Sequence, residues 1–443
     1  MNARELALAV VRDVFPADGL TKERGAQEAM EYRSQRAGLT PRDRAFATEL
    51  AYGSIKMRRA LDWYLEPYVG GRGKPLPPAI QEILRIACYE FVFTSAAEHA
   101  TVNEFVNLAK KYGHRGTAGL VNAVLRTFLR EKPPEPARES FADEDEYLGT
   151  RYSFPTWMVR QWRARFGEDK IAAILEGSNA APQSAVLVNR TRAQPEEVRE
   201  TLTAAGAAPV LSTFVEEALV VPDGALLHRL EATAAGAWWA QGESAAMPVD
   251  ILNPQADEAV LDVCSGRGNK AMQTAARLAG SGTLTCIESD PRKAAVLQRR
   301  LSEAGLAAAV VVGDATQPIL ERDFDRILID APCSGTGIVG RHPEARWRKR
   351  PDDGERLAIT QRALLDALIP RLFAGGALVY AVCSTDMRET SEVIEWALQA
   401  HNVERGLLPA RYEEFLTGAG DVLVAPGVAG RDGFFIARLE RRP

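Results

Sequence analysis

Apolar residues recur at three- and four-residue intervals through Leu6, Ala9, Val10 and Val14, through Phe46, Leu50, Ala51 and Ile55, through Ile83, Leu84 and Ala87, through Val102, Phe105, Val106 and Leu108, and through Val121, Val124 and Leu125. Each set falls on one face of a helix, so residues 1–132 are expected to form an all-α bundle. The period is broken at Ala17-Asp18-Gly19, Gly38-Leu39-Thr40-Pro41, Gly70-Gly71-Arg72-Gly73 and Pro75 with Pro77-Pro78, all turn formers. Thr40 ahead of Pro41 supplies a side-chain acceptor and a fixed φ, a combination that opens a helix.

Residues 133–149, with Pro133, Pro134, Pro136 and mixed charge, read as a linker. Residues 150–235 combine a helical pattern over 196–205 with short apolar runs at 184–188 and 218–221, which predicts a small α+β segment. Over 236–443 the rhythm becomes strand, turn, helix. Apolar runs of strand length at 259–263, 284–287, 309–312, 326–329 and 377–382 alternate with helical patterns at 292–304, 354–372 and 389–400. Such alternation predicts an α/β, Rossmann-like domain whose ligands lie at the carboxyl ends of its strands. Trp238 and Trp239 are expected to pack between the middle segment and this sheet.

The 443 residues are 46% hydrophobic and 26% charged, which excludes a largely disordered chain. No apolar run approaches the roughly 20 residues a membrane span needs, and Arg4, Glu5, Arg12 and Asp13 interrupt the start. A cytoplasmic monomer without membrane contact is expected. The net charge of −5 is unevenly spread: residues 1–130 carry +5 and the remainder −10. A polyanionic partner would therefore engage local patches, such as one formed by Arg115, Arg126 and Arg130. The five cysteines, Cys88, Cys264, Cys286, Cys333 and Cys383, show no paired spacing and the five histidines no cluster, so neither a disulfide framework nor a metal site is expected.

The predicted strand ends carry the chemistry. After the first comes Asp262-Val263-Cys264-Ser265-Gly266-Arg267-Gly268-Asn269-Lys270, where two glycines permit a tight turn against a ligand and a helix N-terminus follows. The second ends in Glu288, 20 residues after Gly268, placed to accept from ribose hydroxyls, and the third in Asp314, near where an adenine amino group would lie. Gly266, Gly268 and Ala271 also satisfy a dinucleotide fingerprint, so a nicotinamide dehydrogenase stays open here; a P-loop fits poorly, since no Gly-Lys-Ser/Thr follows. The fourth strand ends in Asp330-Ala331-Pro332-Cys333 and the fifth in Val382-Cys383-Ser384. Two cysteines at neighbouring strand ends have no use in hydride transfer. They suit methylation of a pyrimidine at carbon 5, which becomes nucleophilic only when a thiolate has added at carbon 6, with an acid to offset charge on the ring and a second group to help release the thiol.

Asp330-Ala-Pro-Cys333-Ser-Gly-Thr-Gly, Arg341-His-Pro-Glu, Tyr380-Ala-Val-Cys383-Ser and Asp432-Gly-Phe-Phe435 together resemble the Nop/Sun family of RNA cytosine-5 methyltransferases. Asp43-Arg-Ala-Phe46, Leu61-Asp-Trp-Tyr64 and Val121-Asn-Ala-Val-Leu-Arg126 resemble a NusB-like RNA-binding domain. The resemblance implies an S-adenosylmethionine-dependent enzyme acting on RNA, with small-subunit ribosomal RNA expected as substrate. Cys383 would be the nucleophile, Cys333 the residue assisting release, and Asp330 and Lys270 their neighbours in the active site. Cys264, Ser265, Gly266, Arg267, Gly268, Asn269, Lys270, Glu288, Asp314 and Asp330 would hold the cofactor.

Two departures stand out. The family pattern Ala-Ala-Pro-Gly-Gly-Lys is Ser-Gly-Arg-Gly-Asn-Lys at 265–270, and the residue before the nucleophile, usually Thr, is Val382. They keep a second reading open, a catalytically impaired RNA-binding or assembly factor on the same fold. Finally, the loop from Arg341 to Arg350 interleaves Trp347 with basic residues, and Arg341, Arg346, Trp347 and Arg348 are expected to contact RNA through phosphate and base stacking.

Overall fold

The computed structural model describes residues 1–17, 23–70, 75–95, 98–222, 224, 227–231 and 234–443. The expected breaks at Asp18-Gly19 and Gly71-Arg72-Gly73 lie outside these residues. Contacts divide the chain into two units, Met1–Ala164 with Arg341–Lys349, and Arg165–Gly340 with Arg350–Pro443.

In the first unit, helices Ala3–Val14, Ala26–Ser34, Pro41–Lys56, Arg58–Val69, Pro78–Phe93, Glu98–Tyr112 and Arg115–Glu131 enclose one core. The apolar periodicity is its cause: Leu6, Val10, Val14, Leu50, Ile55, Ile83, Phe105 and Val121 are fully buried. Ala9, Phe46 and Val106, at the edges of those stripes, are half-buried. Thr40 Oγ1 accepts from the Asp43 amide at 3.2 Å and caps its helix as the sequence predicts. Helix Ala26–Ser34 is mostly polar and shows no apolar stripe, whereas Arg58–Val69, which the periodicity above does not include, buries Ala60, Leu61, Tyr64 and Leu65 on one face and carries Pro67 in its last turn. The expected linker ends in structure, because Asp143 caps a helix spanning Glu144–Arg151.

The segment Arg341–Lys349 also belongs to this unit, and here the structure departs from the expectation for Arg346. Arg346 is fully buried, with its guanidinium 3.8 Å from the centre of the Phe154 ring and donating to the carbonyl oxygens of Ser153 (3.3 Å) and Lys56 (3.5 Å). Trp347 Nε1 donates to Ile55 O at 2.6 Å, and Arg348 donates to the carbonyls of Val14 and Arg24. These donors satisfy carbonyl groups of the helical unit. Arg341 is half-buried.

The second unit begins with strands β1 (Ser184–Val188), β2 (Val210–Leu211), β3 (Ala218–Val221) and β4 (Trp238–Ala240), paired antiparallel in the order β2-β3-β1-β4. Strand alternation sends successive side chains to opposite faces. Trp238 therefore packs with Val186, Leu219 and Val198, while Trp239 enters the core that holds Ala246 and Met247.

The larger sheet contains β5 (Ala259–Val263), β6 (Thr283–Glu288), β7 (Ala309–Val312), β8 (Phe324–Asp330), β9 (Leu372–Val382), β10 (Val403–Arg405), β11 (Val422–Val424) and β12 (Phe434–Arg441). Its order is β10-β12-β9-β8-β5-β6-β7, with β11 on β12. Strands β5 to β9 run parallel and β12 is antiparallel to β9. Helices Glu243–Leu252, Asn269–Leu278 and Pro291–Ala304 contribute to the core on one face, and Asp353–Leu368 and Ser391–Ala400 to the core on the other. The helix predicted to reach 372 ends at Leu368, since Pro370 follows and β9 begins at Leu372. β6 and β8 flank β5 on opposite sides, so the strand order reverses there. A crevice at the carboxyl ends follows from that topology. No helix among the described residues is long and apolar enough to cross a membrane.

Candidate active site

The loop after β5 is built for close backbone approach. Gly268 adopts φ +91°, and a Cβ there would lie 2.3 Å from Leu297 Cδ1, so both conformation and space demand glycine. Glu288, at the end of β6, holds this loop: its Oε2 accepts from the Gly266 amide at 2.7 Å and its Oε1 from the Asp290 amide at 2.9 Å. Each oxygen keeps a second lone pair. Arg300, on the helix Pro291–Ala304, donates to Arg267 O (2.9 Å) and Asn269 Oδ1 (2.5 Å). This arginine and the asparagine it grips hold the loop in the absence of the family's usual proline. Cys264 has φ +59°, and burial together with Asp330 and Glu288 pushes its thiol up to about 12, consistent with a packing residue. Ser265 Oγ donates to Asp262 O (2.9 Å) and closes the turn. Arg267 is exposed. Exposed Asp314 uses Oδ1 to accept from the Thr316 amide and hydroxyl.

Asp262 was missing from the sequence-derived set, although it begins the same motif. It is fully buried, and both its carboxylate oxygens lack a hydrogen-bond partner. Burial, reinforced by Asp330, pushes its carboxyl up to about 8. A buried acceptor pair with nothing to accept from, beside an open glycine turn, matches a ligand that brings a cationic donor.

At the ends of β8 and β9 the two predicted cysteines meet. Cys333 Sγ lies 3.1 Å from Cys383 Sγ. The register explains it: Asp330 pairs with Ala381 across the parallel ladder, and both chains turn over the sheet just beyond. Gly337 N donates to Cys383 O at 3.0 Å, and a Cβ on Gly337 would lie 2.2 Å from Gly433 O, which makes glycine obligatory where three backbones converge. The hydrogen bond shared with Cys383, burial and the nearby charges of Glu389 and Asp330 push the Cys333 thiol well above its ordinary value. Lys270 Nζ lies 2.7 Å from Asp330 Oδ2 and 5.4 Å from the centre of the Phe434 ring. Burial opposes its charge, but Asp330 and Cys383 outweigh that and hold its pKa up.

A Rossmann-like sheet with the order described, a glycine turn after its first strand and an acid after its second defines a methyltransferase domain. Residues 249–440 match the family described as 16S rRNA methyltransferase RsmB/F, residues 1–130 the NusB family, and residues 154–225 the ferredoxin-like domain of RsmF/B-like methyltransferases. The chain is 31% identical over 417 residues, 91% of its length and 92% of the relative's, to the "Probable ribosomal RNA small subunit methyltransferase B" of Bacillus subtilis. Its fold is similar to that of PH0851, with a TM-score of 0.81, 23% identity and 99% of each chain covered. It is similar also to NSun6 from Pyrococcus horikoshii, solved with SFG, with a TM-score of 0.59, 18% identity, and 66% of this chain and 99% of that one covered. The chain belongs to the RsmB/F methyltransferases of the Nop/Sun family, which depend on S-adenosylmethionine.

Proposed function

We propose that this chain is an S-adenosylmethionine-dependent RNA cytosine-C5 methyltransferase of the cytoplasm, acting on small-subunit ribosomal RNA through a covalent Cys383 adduct. The observation that carries the reading is the 3.1 Å contact of the two sulfurs at adjacent strand ends, beside the Lys270–Asp330 pair. Similarity to relatives named for small-subunit ribosomal RNA supports the choice of substrate.

The turn from Ser265 to Asn269, with Glu288, Asp314 and the unsatisfied Asp262, would hold S-adenosylmethionine, whose sulfonium supplies an electrophilic methyl group. Cys383 Sγ gives an electron pair to cytosine C6, and the C5–C6 double bond becomes the nucleophile at C5. Lys270, whose charge Cys383 helps to hold, supplies the cation on this side of the site. Asp330, held in place by Lys270, faces the ring and accepts from the cytosine 4-amino group, and the Lys270 cation beside it offsets the charge that develops on the ring. After transfer, C5 gives its proton to a water of the crevice acting as base, the C5–H electron pair restores the C5–C6 double bond, and the S–C6 electron pair returns to sulfur. The Cys333 thiol, protonated and in contact, donates a hydrogen bond to the departing thiolate. The base must be unstacked to admit the thiol to its face. Cys383→Ala is expected to abolish 5-methylcytosine formation in ribosomal RNA while calorimetric affinity for S-adenosylmethionine is kept. Full activity in that variant would contradict the reading, and failure of the wild-type chain to bind the cofactor would favour a non-catalytic RNA-binding factor.

A further inference from the structure

Behind the two sulfurs lies a side chain that the mechanism above does not use. Glu389 closes the short turn Met387–Glu389 and is fully buried. Its Oε1 accepts from the Ser334 amide (2.8 Å) and from Gln361 Nε2 (3.1 Å), and its Oε2 accepts from the hydroxyls of Ser384 (2.5 Å) and Ser334. Ser334 follows Cys333 and Ser384 follows Cys383, so a single carboxylate is bonded to the residue next to each cysteine. Gln361 Nε2 also donates to Pro332 O at 3.0 Å, fixing the other side of Cys333. Tyr380 Oη donates to Glu389 O at 2.7 Å and pins the turn that carries the carboxylate. A buried carboxylate is costly unless its lone pairs are engaged. Here four donors from three segments engage them, and an apolar side chain of the same volume would tie none of the loops together.

We propose that Glu389 is a positioning residue: by bridging the loops that follow β8 and β9 it keeps the sulfurs of Cys333 and Cys383 in contact, which release of the product requires. This rests on the covalent reading given above for its consequence in catalysis, though not for its geometry. A second effect points the same way. The negative charge of Glu389 faces Cys333 and favours its protonated form, so the thiol that has to donate a hydrogen bond is held as a donor, while Lys270 acts on the other sulfur.

The test measures the thiol pair and the chemistry separately in the full-length protein. Equilibration with glutathione converts the two thiols and one oxidised glutathione into one protein disulfide and two reduced glutathiones, which gives the effective concentration of Cys333 for Cys383 by peptide mass spectrometry. In Glu389→Gln and Glu389→Ala this quantity is expected to fall at least tenfold. The kcat for 5-methylcytosine formation should fall 30-fold or more, with KM for S-adenosylmethionine within twofold of wild type. If either variant fails to fold by circular dichroism, Ser334→Ala and Ser384→Ala carry the same expectation, with the double variant losing less than the product of the single losses. An unchanged effective concentration, or a fall in it with kcat intact, overturns the assignment. Cys383→Ala assayed alongside distinguishes the two ideas: methyl transfer surviving there removes the covalent reading, whatever the Glu389 variants do.

Discussion

Lys270 Nζ and Asp330 Oδ2 are 2.7 Å apart, joining the helix that follows β5 to the end of β8. The lysine side chain is 11% exposed and the aspartate 33%, so the cation is shielded while the carboxylate still reaches the crevice. Lys270→Met is therefore expected to lower kcat by about 100-fold, the scale on which removing one preorganised charge acts. The same substitution should slow iodoacetamide labelling of Cys383, measured by mass spectrometry, because the reacting sulfur loses the cation whose charge it interacts with. Unaltered labelling would separate Lys270 from the sulfur chemistry.

Contact between the sulfurs sets a second expectation. On the covalent reading, the adduct in Cys333→Ala is expected still to form through Cys383, while its departure loses the thiol in contact with it. A protein–RNA species stable on a denaturing gel should accumulate when methyl donor is present. It should be absent from Cys383→Ala and from the double variant.

The parallel strands were legible in the sequence as continuous apolar runs: 259–263 coincides with β5, where burial calls for it, and 309–312 with β7, which is apolar although it lies at the sheet edge and Val312 is exposed. β12 was not, although it pairs along β9, since its second half, Arg438 to Arg441, alternates charge with Leu439 and resembles a surface segment. The meeting of Cys333 and Cys383 was legible because topology places neighbouring strand ends together, whereas Asp330 and Lys270 beside them entered through the family resemblance. Glu389 and Arg300 were not. Glu389 ties Ser384 to Ser334, 55 residues away from it, and Arg300 reaches back 33 residues to Arg267, and no local pattern marks an acid or an arginine that serves a distant loop. Arg346 misled for the opposite reason, because a guanidinium among other basic residues reads as surface until the carbonyl oxygens around it are seen.

Asp262 gives a pH-dependent prediction. Its carboxyl is pushed up to about 8 by burial, against about 3.9 in an unfolded chain. Between those values the folded protein keeps a proton that the unfolded chain has lost, so stability falls as pH rises from about 4 to about 8. Asp262→Asn should remove that slope: its melting temperature gains on the wild type progressively from pH 4 to pH 8. The same variant should bind S-adenosylmethionine more weakly. Wild-type binding at pH 7 should release protons, read from calorimetry in buffers of different ionisation enthalpy, as the carboxylate ionises against a cationic ligand.

Gly268→Ala combines a left-handed φ of +91° with a Cβ 2.3 Å from Leu297 Cδ1. Strain costs roughly 1–2 and overpacking roughly 1–3 kcal/mol, so urea unfolding should show a loss of about 2–5 kcal/mol together with weaker cofactor binding. Adding Leu297→Ala relieves the clash but not the backbone strain, and is expected to restore cofactor affinity only in part.

Arg346 lies among Phe154, Ser153 O and Lys56 O, and Lys56 itself is pushed down to about 8 by burial and then by Arg346. Arg346→Met keeps the chain length but removes every donor and the cation over the ring. The hydrogen bonds are worth about 1.5–3 kcal/mol and the cation–ring contact up to about 2, so a loss on the order of 3 kcal/mol is expected. The lysine adds a signature in pH. Above pH 8 its folded form has shed a proton that the unfolded chain keeps to about 10.4, so wild-type stability rises with pH over that window. In Arg346→Met the repulsion is gone, Lys56 titrates higher, and the rise becomes shallower. RNA affinity in salt titrations should follow the folded fraction alone. A weaker salt dependence in Arg346→Met with an unaltered melting temperature would instead make this arginine a phosphate contact.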